Sequence, residues 1–73
     1  MDVNISQAQL ARVLGVSRQR VNFLVKEGVI LLDGQGLINP VEAALRIEEN
    51  LDLDEGDTLF FARQKIVLHY FVK

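Results

Sequence analysis

The chain lacks the residues that stabilise small domains by covalent bonds or bound metal. None of its 73 residues is cysteine, and it has one histidine, one proline and no tryptophan. Without thiols, neither a disulfide framework nor a thiolate zinc site can form. A chain free of cysteine fits a reducing compartment, so we expect the protein to act in the cytoplasm.

Signals for membranes and for catalysis are also missing. The first residues carry no basic patch followed by an apolar run, and no apolar stretch is long enough to cross a bilayer. His69 has lysines four positions to either side, where further metal ligands would stand. No nucleophile, base and orienting group share a catalytic spacing. We therefore expect no membrane association, no enzymatic activity, no cofactor and no metal.

The net charge is −2, but acidic and basic residues are segregated along the chain. Residues 1–40 hold four basic and three acidic residues, and residues 41–57 hold one basic and seven acidic residues. Residues 58–73 hold three basic residues and no acidic one. The acidity therefore lies outside the first forty residues, whose bases could contact a nucleic acid. Arginines that only solvate a helix face are the alternative explanation of this charge.

Two short amphipathic helices are predicted near the start of the chain. Ser6 is a good N-cap residue, and Gln9 three positions later can complete a capping box. Ser17 caps the second helix, while Gly15 and Gly28 end the two helices because glycine tolerates the left-handed backbone. Apolar residues recur at helical spacing in both segments: Leu10, Ala11 and Leu14, then Val21, Leu24 and Val25.

The remaining sequence predicts a hairpin, a third helix and a C-terminal helix. Apolar runs on both sides of a glycine-rich stretch, residues 33–36, indicate a short β-hairpin. Asn39 caps a third helix that has Pro40 at its first position. An acidic linker, residues 51–57, then leads to residues 58–73. We expect a helix there, although the β-branched and aromatic content leaves a strand as the alternative.

The turn between the first two helices carries the most informative pattern. Small Ala11 allows close helix approach, Gly15 permits the turn, and Val16 and Val21 pack the second helix onto the first. This combination, over residues 7–24, resembles the helix-turn-helix of bacterial and phage DNA-binding proteins. In such proteins the start of the second helix faces the DNA major groove.

The hairpin and the third helix extend the resemblance to winged helix-turn-helix domains of the MerR and excisionase type. The N-terminal domains of small terminase subunits from lambda-like phages are similar. The implied fold is mainly α with a small β-hairpin wing: a winged helix-turn-helix over residues 1–50, followed by the C-terminal helix. The chain departs from the MerR pattern, because Phe23 stands alone where that family has paired aromatics, and the wing lacks basic residues.

The resemblance implies DNA contacts for six polar residues of the second helix and its cap. Arginine can bind guanine through two parallel hydrogen bonds, and glutamine or asparagine can bind adenine likewise. Four of the six are candidate base readers, whereas Arg20 and Lys26 are expected to contact phosphates. For each residue, the alternative is an exposed side chain that contacts only solvent. The six are Ser17, Arg18, Gln19, Arg20, Asn22 and Lys26.

We therefore expect sequence-specific binding of double-stranded DNA in a phage-type DNA-packaging or regulatory protein. One module of this size buries little DNA surface, so affinity normally requires paired copies. The apolar residues of 58–73 are the expected contact of a homodimer or higher oligomer. The alternative is a module that retains this fold without DNA binding and contacts a larger protein through residues 48–57 and the apolar tail.

Overall fold

The computed structural model describes residues 4–72, and four α-helices make up most of it. The expectation of a mainly α fold is confirmed, and the C-terminal segment is helical rather than a strand. Residues 1–3 and 73, at the ends of two predicted segments, lie outside the described residues. No helix within residues 4–72 is long and apolar enough to span a membrane. The elements are α1 (Gln7–Leu14), α2 (Arg18–Lys26), α3 (Pro40–Asn50), a 3₁₀ turn (Thr58–Phe61) and α4 (Ala62–Tyr70).

Helices α1 and α2 begin at the caps that the sequence predicts. Ser6 Oγ accepts a hydrogen bond from the Gln9 amide at 3.1 Å, and Gln9 Oε1 accepts one from the Ser6 amide at 2.9 Å. This closes the capping box. Gly15 follows α1 with φ at 75°, and Ser17 Oγ then accepts from the Arg20 amide at 3.1 Å. A turn of three residues therefore joins the two helices.

Gly15→Ala should lower the free energy of unfolding by about 1–2 kcal/mol. The backbone is left-handed at this position, but an added Cβ would meet nothing closer than Lys65 Nζ at 3.7 Å. The cost is therefore backbone strain and not a clash. Urea unfolding followed by circular dichroism measures it. Gly34→Ala is the matched control, because its backbone is not left-handed and nothing lies within 4 Å. Equal losses in both variants would contradict this explanation.

One hydrophobic core joins all four helices. Helices α1 and α4 lie at its centre, because α1 packs against both α2 and α4, and α4 packs against both α1 and α3. No polar or charged side chain of residues 4–72 is buried. Helix α2 makes its main helix–helix contact with α1, and its opposite side faces solvent. The deepest side chains are Leu10, Leu14, Val21, Ile30, Ile38, Ile47, Leu59 and Ile66.

The β-hairpin expected around residues 33–36 is not formed. The amide of Ile30 donates to the Leu24 carbonyl oxygen at 3.2 Å, so the chain before the turn continues the C-terminal turn of α2. Ile38, after the turn, pairs with Ile5 instead, in an isolated antiparallel bridge. Ile30 and Ile38, which would lie on opposite strands of the hairpin, are therefore each engaged elsewhere, and residues 4–72 contain no strand.

The turn itself is present, and it is held by one carboxylate and by a backbone hydrogen bond from the Asp33 amide to the Leu37 carbonyl oxygen at 2.8 Å. Asp33 Oδ1 accepts from the amides of Gln35 at 2.8 Å and Leu37 at 2.9 Å. Asp33 Oδ2 accepts from the side-chain amide of Asn4 at 2.7 Å. These hydrogen bonds, first that from Leu37, hold the pKa of Asp33 below its usual range. The turn is consequently compact and tied to the segment that precedes α1.

Candidate nucleic-acid interface

Helix α2 turns one face to the core and the opposite face to solvent. Val21 and Leu24 are buried and fix its rotation against α1. Residues at i, i+3 and i+7 share a helix face, so Gln19, Asn22 and Lys26 form one outward strip. Five of the six predicted DNA contacts are exposed, and Arg20 alone is half-buried. The exposed five are Ser17, Arg18, Gln19, Asn22 and Lys26.

The N-terminus of α2 has features suited to an anion. Ser17 Oγ accepts from the Arg20 amide, and its hydroxyl proton is still able to donate. The first amides of a helix have no partner within the helix, and the helix dipole adds partial positive charge there. A phosphate oxygen is the usual ligand of such an end. The arrangement can position a DNA backbone beside Arg18 and Gln19.

Arg20 has a partner within the chain, which the sequence did not indicate. Its Nη2 lies 2.9 Å from Asp57 Oδ2, and Asp57 Oδ1 also accepts from the Leu59 amide at 2.9 Å. The Arg20 guanidinium, and then the Leu59 amide, hold the pKa of Asp57 below its usual range. The ion pair ties α2 to the 3₁₀ turn before α4. Arg20 can reach a phosphate only in competition with Asp57.

Two further basic residues donate hydrogen bonds to backbone carbonyl groups within the fold, and neither contact was predicted from the sequence. Arg46 donates to the carbonyl oxygens of Val29 at 2.7 Å and Gly28 at 3.0 Å, just after α2. Lys65 donates to the Leu14 carbonyl oxygen, the last of α1, at 3.0 Å. Cations are favourable at helix C-termini, where carbonyl groups lack partners. The position of Arg46, as the only base among the seven acids of residues 41–57, was the available sequence signal.

An apolar groove of about 740 Å³ lies between α3, the acidic linker and α4. Buried Ile47 and Leu59 line it together with exposed Phe61 and Leu68. Glu48 of α3 and Arg63 of α4, which also line it, face each other at 3.5 Å. Among residues 4–72, no three side chains converge as a metal site. The groove is an apolar surface separate from the outward face of α2.

No family model, curated protein or solved structure matches the chain. The resemblance to winged helix-turn-helix domains is therefore still a prediction.

Stability should fall below about pH 4, because Asp33 and Asp57 are more acidic in the fold than in the unfolded chain. A lowered folded pKa contributes stability that is complete above the unfolded value, about 4, and is lost as pH falls through the folded value. Urea unfolding between about pH 7 and pH 2.5 measures this. The double variant Asp33→Asn/Asp57→Asn should show a flatter decline.

Glu55→Gln is the control for this measurement, since Glu55 is an exposed acid in the acidic linker that also contains Asp57. The control should decline as the parent does. A decline that is equally steep in the parent and the double variant would rule out these two carboxylates as its source.

Proposed function

We propose that the protein binds double-stranded DNA in a sequence-specific manner, with α2 in the major groove. The observation that carries this proposal is the outward strip of α2, whose opposite face is fixed in the core. Arg18 offers the two parallel donors that suit guanine, and Gln19 and Asn22 offer the donor and acceptor pair that suits adenine. These residue types stand on the second helix of a helix-turn-helix pair, where base readers are expected.

Contacts to phosphate would position the helix without reading sequence. Ser17 and the first amides of α2 supply one such contact, and Lys26 supplies another from the last turn. Arg20 supplies a third when it exchanges Asp57 for a phosphate. In the winged helix-turn-helix domains that the chain resembles, the wing stands at the position that the turn of residues 33–37 occupies here. Because that turn holds Asp33 and no basic residue, we assign most of the affinity to α2.

Paired copies would supply the remaining affinity. Exposed Leu68, Phe71 and Val72 at the C-terminal end offer an apolar surface for a second copy. A homodimer or higher oligomer through residues 58–73 would place two α2 helices on one duplex. The role we propose is that of a phage-type packaging protein similar to a small terminase subunit, or of a regulator, in the cytoplasm of a bacterial or phage-infected cell.

Salt dependence of duplex binding tests the proposed function. Neutralised phosphates release counterions, so the logarithm of affinity should fall linearly with the logarithm of salt concentration. Lys26→Ala should reduce that slope by about one. Arg63→Ala on α4 is the charge-matched control and should leave the slope unchanged. A parent that binds no duplex DNA at low salt, or equal slopes in the parent and Lys26→Ala, would count against the assignment.

A second candidate function, protein binding without DNA, is favoured by the groove between α3 and α4. This function predicts no duplex binding at any salt concentration, and association with a larger protein that is lost in Phe61→Ser or Leu68→Ser. Phe23→Ser is the matched control, because Phe23 is also apolar and exposed but lies on α2. If Phe61→Ser and Leu68→Ser keep every association of the parent, this function is excluded.

A further inference from the structure

Phe23 is the most exposed large apolar side chain of residues 4–72, at 59% of its surface. It follows Asn22 directly and lies one helical turn after Gln19, on the side of α2 away from the core. The two aromatic pairs found among the described residues, Phe60–Phe61 and His69–Tyr70, do not include it. An apolar ring therefore stands among hydrogen-bonding side chains on the face assigned to DNA.

We propose that Phe23 reads the C5-methyl group of a thymine. This inference rests on the proposed function, since it requires α2 to lie in the major groove. The major-groove edges of the four bases display hydrogen-bond donors and acceptors, and thymine alone adds a methyl group. A phenyl ring can contact that methyl group but cannot satisfy the polar atoms beside it. Phe23 therefore selects for thymine by apolar contact.

The neighbours of Phe23 indicate where in the site this thymine lies. The side-chain amide of Gln19 or Asn22 can form two hydrogen bonds with an adenine. An A·T pair displays the adenine edge and the thymine methyl group side by side in the same groove. The amide and the ring can therefore read one A·T pair or two adjacent ones. The preferred site should hold a thymine at or next to the adenine that these amides read.

The groove between α3 and α4 does not account for the exposure of Phe23. Phe23 is not among the residues that line that groove. Association of a second copy or of another protein through the groove would leave the ring in water. The polar residues beside the ring indicate that DNA, rather than a protein, covers it.

Replacement of thymine by deoxyuridine isolates the methyl group, because uracil keeps the base pairing of thymine. Each thymine of the preferred duplex is replaced in turn, and affinity is measured by fluorescence anisotropy. The parent should lose roughly three- to five-fold in affinity at one or two positions, the effect of one buried methyl group. Phe23→Ala should not distinguish uracil from thymine there. Phe23→Leu should keep part of the discrimination.

Leu31→Ala is the matched control, since it removes an exposed apolar side chain outside α2 and should discriminate as the parent does. Equal discrimination by Phe23→Ala and the parent would overturn the assignment. The assignment would also be overturned if the parent binds its preferred duplex specifically but with the same affinity for uracil as for thymine at every position. That result would leave the proposed DNA binding intact. A parent with no specific duplex binding would overturn the proposed function and this inference together.

Discussion

Leu10→Ala should lower the free energy of unfolding by about 2–5 kcal/mol. Leu10 is fully buried, at 0% exposure, on the helix that packs against both α2 and α4. Its truncation removes apolar burial and leaves a cavity that the surrounding helices fill only in part. A domain of this size has on the order of 4–11 kcal/mol of stability. The variant would therefore lose a large share of it.

Thermal and urea unfolding followed by circular dichroism measure this loss. Leu68→Ala is the matched control, because Leu68 is 56% exposed and the change should stay within about 0.5 kcal/mol. If Leu10→Ala costs no more than Leu68→Ala, α1 does not lie at the centre of the core. The placement of α2 against α1, and with it the helix-turn-helix geometry, would then be wrong.

Arg18→Ala should weaken binding to the preferred duplex by about 1–3 kcal/mol, roughly 5- to 150-fold. Arg18 is exposed at the first position of α2 and forms no ion pair within residues 4–72. Its guanidinium is thus available for two parallel hydrogen bonds to one guanine. The loss should be confined to duplexes that carry this guanine, so that parent and variant bind a duplex lacking it with similar affinity.

Lys26→Ala separates base reading from phosphate contact in the same assay. A phosphate contact contributes to every sequence, so this variant should weaken binding about uniformly. If Arg18→Ala also weakens binding uniformly, Arg18 belongs with the phosphate contacts. If it changes nothing on any duplex, α2 is not the reading helix.

The parts of this fold that the sequence predicts are those determined within a few residues. The capping box joins Ser6 to Gln9, and Ser17 caps the turn that ends at Arg20. Asn39 likewise caps α3 through amides two and three positions later. Such contacts depend on side-chain chemistry at fixed spacing, which a sequence displays directly. The outward face of α2 was also predictable from local sequence, because helical periodicity fixes which residues share a face.

The parts that the sequence does not predict depend on residues far apart in the chain. Ile38 pairs with Ile5 rather than with the segment before its own turn, so the expected hairpin is not formed. Arg20 meets Asp57, 37 positions away, and Lys65 reaches back 51 positions to α1. Local pattern cannot rank such partners, because each depends on how the helices pack. For this reason the ion pair of Arg20 with Asp57 was not predicted.

Selection of preferred duplexes from a random pool addresses the reading role of α2 most directly. Reading by α2 predicts one recurring motif for the parent. Its guanine position should become degenerate in Arg18→Ala, and its adenine position in Gln19→Ala. Paired copies would add half-sites about one helical turn apart, or a multiple of it. No recurring motif for the parent, or an unchanged motif in both variants, would contradict DNA reading by this helix.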